Sequence, residues 1–385
     1  MPLLLIAYAA FIGLGLPDPL PGALWPVSRH SYGMPTEALG LVLAAIAGGY
    51  VLASLVAGRA MEAFGTGGVL AGSVALTAIA ALGQAMAPPW PLLLLCAGLA
   101  GLGGGAVDTG LNMFAARHFA PRHLNWLHAC WGLGATLGPT IAAFLLAEGA
   151  SWQAGYAVVG SILAALTMIL SLTRRRWDDG PSEASDGPRV PALTVLRQPV
   201  ARRQIGIFFL YCGVEAGAGQ WCATVLNEAQ GASPAFAGLA ATLYWGSIGL
   251  GRVGMGLIVE RIGADRLIHA GAWASAGAAA IFALGAAGGP STLWLSLLGL
   301  ALLAVALSPL FPTLMSRTPA RIGPGAVHVI GAQSAAATVS IAIVPGALGL
   351  AAGHVGPAIV PALLLALALL LAWQIRRLTV TAKGA

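Results

Sequence analysis

The sequence predicts an all-α polytopic membrane protein with twelve transmembrane helices, and three observations lead to this prediction. Hydrophobic residues make up 58% of the 385 residues, charged residues make up only 8%, and the mean hydropathy is +0.84. Soluble domains contain roughly 25% charged residues, so lipid is the solvent that fits this composition. The apolar residues also form continuous runs that do not alternate with polar ones, which argues against a membrane β-barrel.

Twelve apolar runs are long enough to cross a bilayer, which requires roughly 20 residues each. In chain order they cover residues 3–27, 38–63, 68–87, 91–116, 124–147, 153–173, 204–227, 235–259, 266–286, 291–316, 324–350 and 355–375. Glycine and proline are frequent within them. Both residues are tolerated in membrane helices, where small side chains let neighbouring helices approach closely.

The basic residues predict how the chain is oriented. With the N-terminus placed in the cytoplasm, 18 of the 19 basic residues fall on the cytoplasmic side, and only Arg29 falls outside. The positive-inside rule therefore predicts a multi-pass protein of a bacterial-type inner (plasma) membrane, with both termini cytoplasmic. Because the arginines recur between apolar runs, we interpret them as topology signals and expect no nucleic-acid partner. The first run lacks a basic leader and a clear cleavage site, so we interpret it as a span.

One polar segment divides the chain into two halves. Residues 174–203 begin RRRWDDGPSEASDGPRV, a composition typical of a flexible linker. We predict an N-terminal six-helix bundle at 1–173, a cytoplasmic linker at 174–203, and a C-terminal six-helix bundle with a short cytoplasmic tail at 204–385. A shift of 198 residues superimposes the two halves through spans 2 and 8, where it aligns Gly40 with Gly238, Gly48 with Gly246, Gly58 with Gly256, Glu62 with Glu260 and Gly65 with Gly263.

Acids within the spans are candidates for proton coupling, because a charge inside a bilayer is costly and usually functional. Asp108 lies in the middle of span 4, and Asn112 follows one turn later on the same helix face. Asp18 lies between Pro17 and Pro19, which break the helix, and broken membrane helices expose backbone polar groups at binding sites. The alternatives are a structural Asp108 that pairs with an arginine, and an Asp18 at the outer membrane surface.

Span 7 carries a third such acid, Glu215, and the 198-residue shift places Asp18 opposite its neighbour Ala216. Two acids from the two halves are therefore expected to face one cavity, although Glu215 could instead pair with a buried base. We interpret Arg252, in the inner third of span 8, as a structural or gate arginine.

Polar and aromatic side chains in the central part of the spans are candidates for binding a substrate. Amides and imidazoles can bond hydroxyl groups, and an indole ring can stack on a sugar ring, although all of these side chains also occur as ordinary packing residues. The candidates are Asn112, Asn125, His128, Trp131, Gln220, Trp221, Trp245, His328 and Gln333. They have no metal-ligand spacing, so we expect neither a metal nor another cofactor.

The loop after span 8 carries a recognisable motif. Residues 256–263 read Gly-Leu-Ile-Val-Glu-Arg-Ile-Gly, which resembles the Gly-x-x-x-Asp-Arg-x-Gly loop of the major facilitator superfamily, with Glu260 in place of Asp. The copy after span 2 keeps its glycines and Glu62 but lacks the basic residues. The resemblance implies a gate or structural role for Glu260, Arg261 and Glu62.

Further segments resemble the fucose-permease-like branch of that superfamily. They are GLGLPDPLPGALWP in span 1, GLGGGAVDTGLN in span 4, NWLHACWGLGATLGP in span 5, YCGVEAGAGQW in span 7, YWGSIGLGR in span 8, SPLFPT in span 10 and HVIGAQ in span 11. The resemblance covers essentially the whole chain. It implies two pseudo-symmetric six-helix bundles (the major facilitator fold), a central cavity and alternating access. Members known in detail import sugars with protons and use acids in spans 1 and 4, which Asp18 and Asp108 match.

We therefore expect a secondary active transporter, and not an enzyme, that moves a sugar or a similar hydroxylated solute by proton symport. The alternative is a proton-driven exporter of drugs or amphipathic metabolites, since acids and tryptophans suit such molecules too. Gly101–Gly105 lacks the Lys-Ser/Thr of a phosphate loop, which argues against ATP as the energy source. The expected partners are a small-molecule substrate, a proton or other coupling ion, and membrane lipid, and we expect a monomer.

Overall fold

The protein is described by a computed structural model that covers residues 3–119, 121–177 and 191–382. These ranges fold into long helices joined by short turns, as the apolar runs predict. The helices are α1 (Leu3–Gly15), α2 (Leu20–Ser31), α3 (Leu39–Ala85), α4 (Trp90–His118), α5 (Pro121–Ala147), α6 (Trp152–Thr173), α7 (Ala192–Leu196), α8 (Pro199–Thr224), α9 (Pro234–Ile262), α10 (Ala264–Ala287), α11 (Leu293–Leu307), α12 (Leu310–Ile322), α13 (Ala326–Val355) and α14 (Ile359–Ala382).

Within these described ranges, ten segments are long and apolar enough to cross a membrane. The predicted all-α membrane fold is thus confirmed. The long helices α8 and α9 fall outside that set of ten, so the count of twelve spans stays a prediction.

Two prolines and one glycine interrupt the helices of the N-terminal half. Pro17 and Pro19 separate α1 from α2 and leave Asp18 in the break, because proline lacks the N–H that a helix interior uses. The predicted spans 2 and 3 form one helix, α3, interrupted at Gly65. Gly65 has φ of 69°, a left-handed conformation that glycine adopts without the penalty of a side chain.

Helices α1–α6 pack on one another, and α8–α14 pack on one another. We call these two sets the N-terminal bundle and the C-terminal bundle. The buried apolar side chains form one cluster within the N-terminal bundle and a larger one centred on the C-terminal bundle. In the described residues the bundles touch mainly where α2 meets α8, α3 meets α13 and α5 meets α9, and α2 also contacts α9. The division at a linker of residues 174–203 stays a prediction, since residues 178–190 lie outside the described ranges.

Among the described residues, the contacts between the bundles lie towards one end of the molecule. We call the end that holds Arg29 the outer end, following the orientation that the arginines predict, and the opposite end the inner end. Near the outer end, Gly40 of α3 lies against Gly346 of α13, where a Cβ atom on Gly40 would come within 3.0 Å of the Gly346 Cα. On α5 and α9, the faces that touch near the outer end become exposed further in, at His128 and at Val253 (57% exposed). In the described residues the bundles are thus in contact at the outer end, and the facing surfaces of α5 and α9 are exposed towards the inner end.

Candidate functional site

Trp131 of α5 lies at the centre of the candidate site and contacts both bundles. Its Nε1 donates a hydrogen bond of 2.9 Å to Asp18 Oδ2, within the N-terminal bundle. The Arg252 guanidinium of α9 lies 5.5 Å from the centroid of the indole ring, a distance at which a cation is attracted to an aromatic ring. The ring of Trp245, also on α9, meets Trp131 edge to face at 5.7 Å. One side chain thus links an acid of one bundle to a base of the other.

The two acids of the N-terminal bundle are held by neutral partners. Asp108 accepts hydrogen bonds from the Tyr50 hydroxyl and from Asn112 Nδ2, the latter at 2.8 Å. Asp18 is half-buried in the break between α1 and α2, and the indole of Trp131 is its side-chain donor. Asp18 and Asp108 are also close enough for their charges to interact. No sequence pattern pointed to Tyr50, which lies 58 residues from Asp108.

The acid of the C-terminal bundle is held by a base. Arg252 Nη2 lies 3.4 Å from Glu215 Oε2, and both side chains are mostly buried. The Tyr211 hydroxyl also donates to Glu215, and the Tyr244 hydroxyl donates to the Glu215 carbonyl at 2.9 Å. Glu215 therefore has the buried basic partner that the sequence left open as an alternative.

Gln220 joins the two bundles beside Asp18. Its Nε2 donates to the Asp18 carbonyl oxygen at 3.0 Å, and its Oε1 accepts from the Gly22 backbone N–H at 2.9 Å. That N–H lies in the first turn of α2, where no intrahelical acceptor is available. Gly22 and Gln220 are 198 residues apart, the shift that relates the two halves of the sequence. The contact thus joins positions that are equivalent in the internal repeat.

An ion pair closes the outer end between the bundles. Arg29 Nε lies 2.8 Å from Glu228 Oε1, and the Thr36 hydroxyl donates to Glu228 Oε2 at 3.2 Å. Trp25 Nε1 in turn donates to the Thr36 carbonyl oxygen at 2.8 Å. No local sequence pattern predicted this pair. The available signal was Arg29 itself, the one basic residue predicted on the outer side.

The remaining substrate-binding candidates lie in different surroundings. His128 is exposed on α5, edge-on to Phe11 at 5.5 Å and within electrostatic range of Asp108 and Arg252. Trp221 is fully buried, and its Nε1 donates to the Pro345 carbonyl oxygen at 2.9 Å, so it packs α8 against α13. It does not share the surroundings of Trp131.

Two candidates of span 11 lie towards the inner end. Gln333 is fully buried and exchanges hydrogen bonds with Thr318, which also contacts Gln204. This cluster joins α8, α12 and α13. His328 is half-buried in the first turn of α13.

The gate candidates Glu62 and Arg261 are both exposed towards the inner end. The side chains of Glu260 and Asn125 lie outside the described part of the chain. A different charged group is present at the start of α10, where Asp265 pairs with Arg317 at 3.0 Å and with Arg321 at 2.8 Å. This group ties α10 to α12. Within the described residues, no cluster of His, Cys, Asp and Glu side chains is arranged to hold a metal ion.

Comparisons with known proteins agree with this geometry. A family model described as Major Facilitator Superfamily matches residues 3–225. The fold is similar to that of the nucleoside transporter NupG, solved as a mutant, with a TM-score of 0.76 and 13% identity over 97% of this chain and 98% of that one. It is also similar to the transporter FucP in the outward conformation, with a TM-score of 0.62 and 17% identity over 97% and 98% of the chains. A comparison with curated proteins gives no match.

Proposed function

The chain belongs to the Major Facilitator Superfamily, and from that premise we propose that it is a secondary active transporter that imports a small, uncharged, hydroxylated solute together with a proton. The proposed mechanism is alternating access, in which the two bundles rock about a site at mid-depth. The proposed location is the inner membrane of a bacterial-type cell, with both termini in the cytoplasm.

This proposal rests on the different partners of the acids around Trp131, which are neutral for Asp18 and Asp108 and basic for Glu215. Asp18 and Asp108 have neutral hydrogen-bond donors as side-chain partners, so either can bind or lose a proton without leaving an unpaired base. A coupling site requires such a group, because its charge must change once in each cycle. Asp18 is the better candidate, since it lies in the helix break and beside the contact between the bundles.

The chemistry around Trp131 supports an uncharged solute. Arg252 is already paired with Glu215, so it offers little to an anionic solute. Carboxylates such as Asp18 accept hydrogen bonds from hydroxyl groups, and the half-buried indole of Trp131 suits the apolar side of a ring. Sugars and nucleosides combine a ring with several hydroxyl groups, and one structural relative is a nucleoside transporter.

The contacts between the bundles support alternating access. The pair of Arg29 with Glu228 closes the outer end, while the facing surfaces of α5 and α9 are exposed towards the inner end. We assign this arrangement to the state that releases solute into the cytoplasm. Breaking the outer contacts and closing the inner ends would give the opposite state.

A proton-driven exporter of amphipathic cations is the second candidate function. Two acids with neutral partners, next to the indole of Trp131, would also attract a flat cation. An exporter would have the same fold and the same coupling acids but a cationic solute in place of an uncharged one, so one experiment can separate the two functions.

The test is transport by the purified full chain in proteoliposomes, with protein-free liposomes as the control. A pH gradient, acidic outside, is imposed, and uptake of a panel of labelled hexoses, deoxyhexoses, polyols and nucleosides is measured with and without a proton ionophore. We expect accumulation of at least one of these solutes, alkalinisation of the outside medium during uptake, and loss of accumulation with the ionophore.

Each other outcome contradicts a defined part of the proposal. Uptake that is the same with and without the ionophore contradicts proton coupling. Movement of lipophilic cations against their gradient, with no uptake of hydroxylated solutes, favours the exporter. No flux of any compound contradicts the proposed solute class.

A further inference from the structure

Two adjoining cavities lie inside the N-terminal bundle, away from its contact with the C-terminal bundle. The inner one has a volume of about 40 Å³ and the outer one a volume of about 20 Å³. Residues of α1, α2, α3, α4 and α6 line them. Pro21, Gln84 and Tyr156 line both cavities, so these three residues mark the place where the two spaces meet.

Polar side chains form a series along the two cavities. Ser28 and Tyr32 line the outer cavity, near the outer end of α2. Gln84 lies at the junction. Thr77 and then Asp18 line the inner cavity. The series therefore leads from the outer end of the N-terminal bundle to the acid proposed for proton coupling.

Several of these polar groups have no protein partner. The Tyr32 hydroxyl is buried and has no hydrogen-bond partner in the described part of the chain. Gln84 is only 4% exposed, and we find no hydrogen-bond partner for its amide among the described residues. Buried polar groups are nearly always satisfied by protein or by ordered water. A water molecule needs a space of about 10–15 Å³ with polar neighbours, so the inner cavity has room for about three and the outer one for one.

We propose that these cavities hold a chain of water molecules that carries protons between the outer end and Asp18, on a route through the N-terminal bundle that is separate from the solute route between the bundles. The proposal rests on the proposed function, in which Asp18 takes up the coupling proton. At the end of the chain, a hydronium ion transfers one proton to the Asp18 carboxylate, which leaves a neutral carboxylic acid and a water molecule.

The geometry keeps the two routes apart. The Arg29–Glu228 pair and the Gln220 contacts close the gap between α2 and α8 at the outer end, whereas the cavities lie on the opposite side of α2, towards α3, α4 and α6. Trp131 covers Asp18 Oδ2, and its indole ring contacts Arg252 of the C-terminal bundle. The bond from Trp131 thus stands between the proton route and the gap that opens to the inner end.

Other titratable groups face Asp18 from the surrounding helices. Tyr50 of α3 lines the inner cavity and donates to Asp108 of α4, and Tyr156 of α6 lines both cavities. On α5, His128 is within electrostatic range of Asp108. The proton that arrives is therefore shared within a group that contains Asp18 and Asp108 as its two acids, and Asp18 is the acid in direct contact with the cavity.

The first test detects the water directly and does not depend on transport. Hydroxyl radicals generated by X-rays label side chains next to bound water, and mass spectrometry reads the labelling rate of the purified full chain. Tyr156 is 6% exposed and lines the cavities, whereas Tyr244 is 0% exposed and lines neither. We expect Tyr156 to be labelled several-fold faster than Tyr244. Equal rates would show that the cavities are dry and would overturn the proposal.

The second test removes the polar group at the junction. Gln84→Leu keeps a similar volume, and Gln153→Leu on α6 is the matched control, because Gln153 lines neither cavity. We expect Gln84→Leu to slow Tyr156 labelling and to lower proton-driven uptake about tenfold, the effect of roughly 1.4 kcal/mol on a rate. Solute exchange without a gradient is expected to stay at the wild-type rate, since the solute route is unchanged.

Two outcomes of the second test would overturn the proposal. One is an unchanged proton-driven uptake in Gln84→Leu, and the other is an equal loss in uptake and exchange, which indicates a structural defect. If Gln84→Leu does not fold, Thr77→Val removes one hydroxyl from the inner cavity and serves the same purpose. A wild-type chain that is labelled at Tyr156 but shows no proton coupling would contradict the proposed function and not the water chain.

Discussion

The acids of the two bundles occupy related positions but have different partners. In the N-terminal bundle, Asp18 and Asp108 are bonded to an indole, a phenol and an amide. In the C-terminal bundle, Glu215 is paired with Arg252. The internal repeat places Glu215 one residue from the counterpart of Asp18. Both halves thus carry an acid at a related position, but its partners are neutral in the N-terminal bundle and basic in the C-terminal bundle.

The different partners suit the acids of the two bundles to different roles. Arginine stays charged at every accessible pH, so a carboxylate that loses its charge beside it would leave the guanidinium without a charged partner. A carboxylate beside neutral donors can be protonated without leaving a charged partner unpaired. The proposed proton exchange therefore falls to the N-terminal bundle, whereas Glu215 and Arg252 form a contact between α8 and α9 in the C-terminal bundle.

The largest expected effect comes from breaking the pair in the C-terminal bundle. Arg252→Met leaves Glu215 buried with an uncompensated charge, so we expect it to lower the free energy of unfolding by about 3–5 kcal/mol. Asp108→Asn removes a carboxylate whose hydrogen-bond donors in the described residues, Tyr50 and Asn112, are neutral, and we expect a loss of at most about 1.5 kcal/mol. Thermal unfolding of the purified variants in detergent measures both.

A double variant checks the cause of that loss. Glu215→Gln combined with Arg252→Met removes both charges, and we expect it to recover most of the stability that Arg252→Met loses. Equal destabilisation by Arg252→Met and Asp108→Asn would remove the distinction between the bundles.

A second expected effect concerns energy coupling. Asp18→Asn can no longer gain or lose a proton, so a pH gradient cannot drive accumulation through it. With one proton per solute, a gradient of one pH unit supports about tenfold accumulation in the wild type, because one unit is worth about 1.4 kcal/mol. We expect the variant to equilibrate the solute without accumulating it, as measured in proteoliposomes.

The control for Asp18→Asn is Glu148→Gln, which neutralises an acid exposed in the turn after α5. We expect that variant to accumulate solute like the wild type. Continued accumulation by Asp18→Asn would move the coupling role to Asp108 or Glu215, and Asp108→Asn would then be tested in the same assay.

The smallest expected effect concerns the outer ion pair between the bundles. Arg29 and Glu228 are partly exposed, at 17% and 15%, so we expect the pair to contribute about 1 kcal/mol to the closed outer end. Arg29→Met then shifts the balance towards the outward-open state about fivefold. Hydrogen–deuterium exchange of the backbone amides in residues 25–38 is expected to speed up by that factor.

Arg377→Met provides the comparison for Arg29→Met, since Arg377 is a cation at the inner end that stacks on Trp373 at 4.4 Å. It is expected to leave exchange in residues 25–38 unchanged. A wild-type exchange rate in Arg29→Met would show that the helix contacts, and not the ion pair, hold the outer end closed.

Local patterns in the sequence were sufficient to predict several features of the candidate site. Pro17 and Pro19 predicted the break that holds Asp18, because proline cannot donate within a helix. The spacing of Asp108 and Asn112 placed them on one helix face, where the structure has them hydrogen-bonded. The 198-residue repeat related spans 1 and 7, and Gly22 bonds Gln220 at that separation.

These local patterns could not predict contacts between distant segments of the chain. Tyr50 was missed because its partner is 58 residues away, and a tyrosine within an apolar run resembles any packing residue. Trp221 and Gln333 had the same sequence signals as Trp131 and Gln220, yet they are buried in contacts within the C-terminal bundle. The direction of a side chain around a packed helix depends on its neighbours, which composition does not encode.

The sequence by itself determined the solvent, the helical class, the family resemblance and the small set of intramembrane acids. These follow from hydropathy, helix-breaking residues and the cost of burying charge, which act over a few turns of chain. Only the tertiary structure decided which acid has a base beside it, which aromatic ring lies between the bundles, and which end of the molecule is closed. Those properties depend on the packing of α5 against α9 and of α2 against α8, where the contacting residues are about a hundred or more positions apart in the chain.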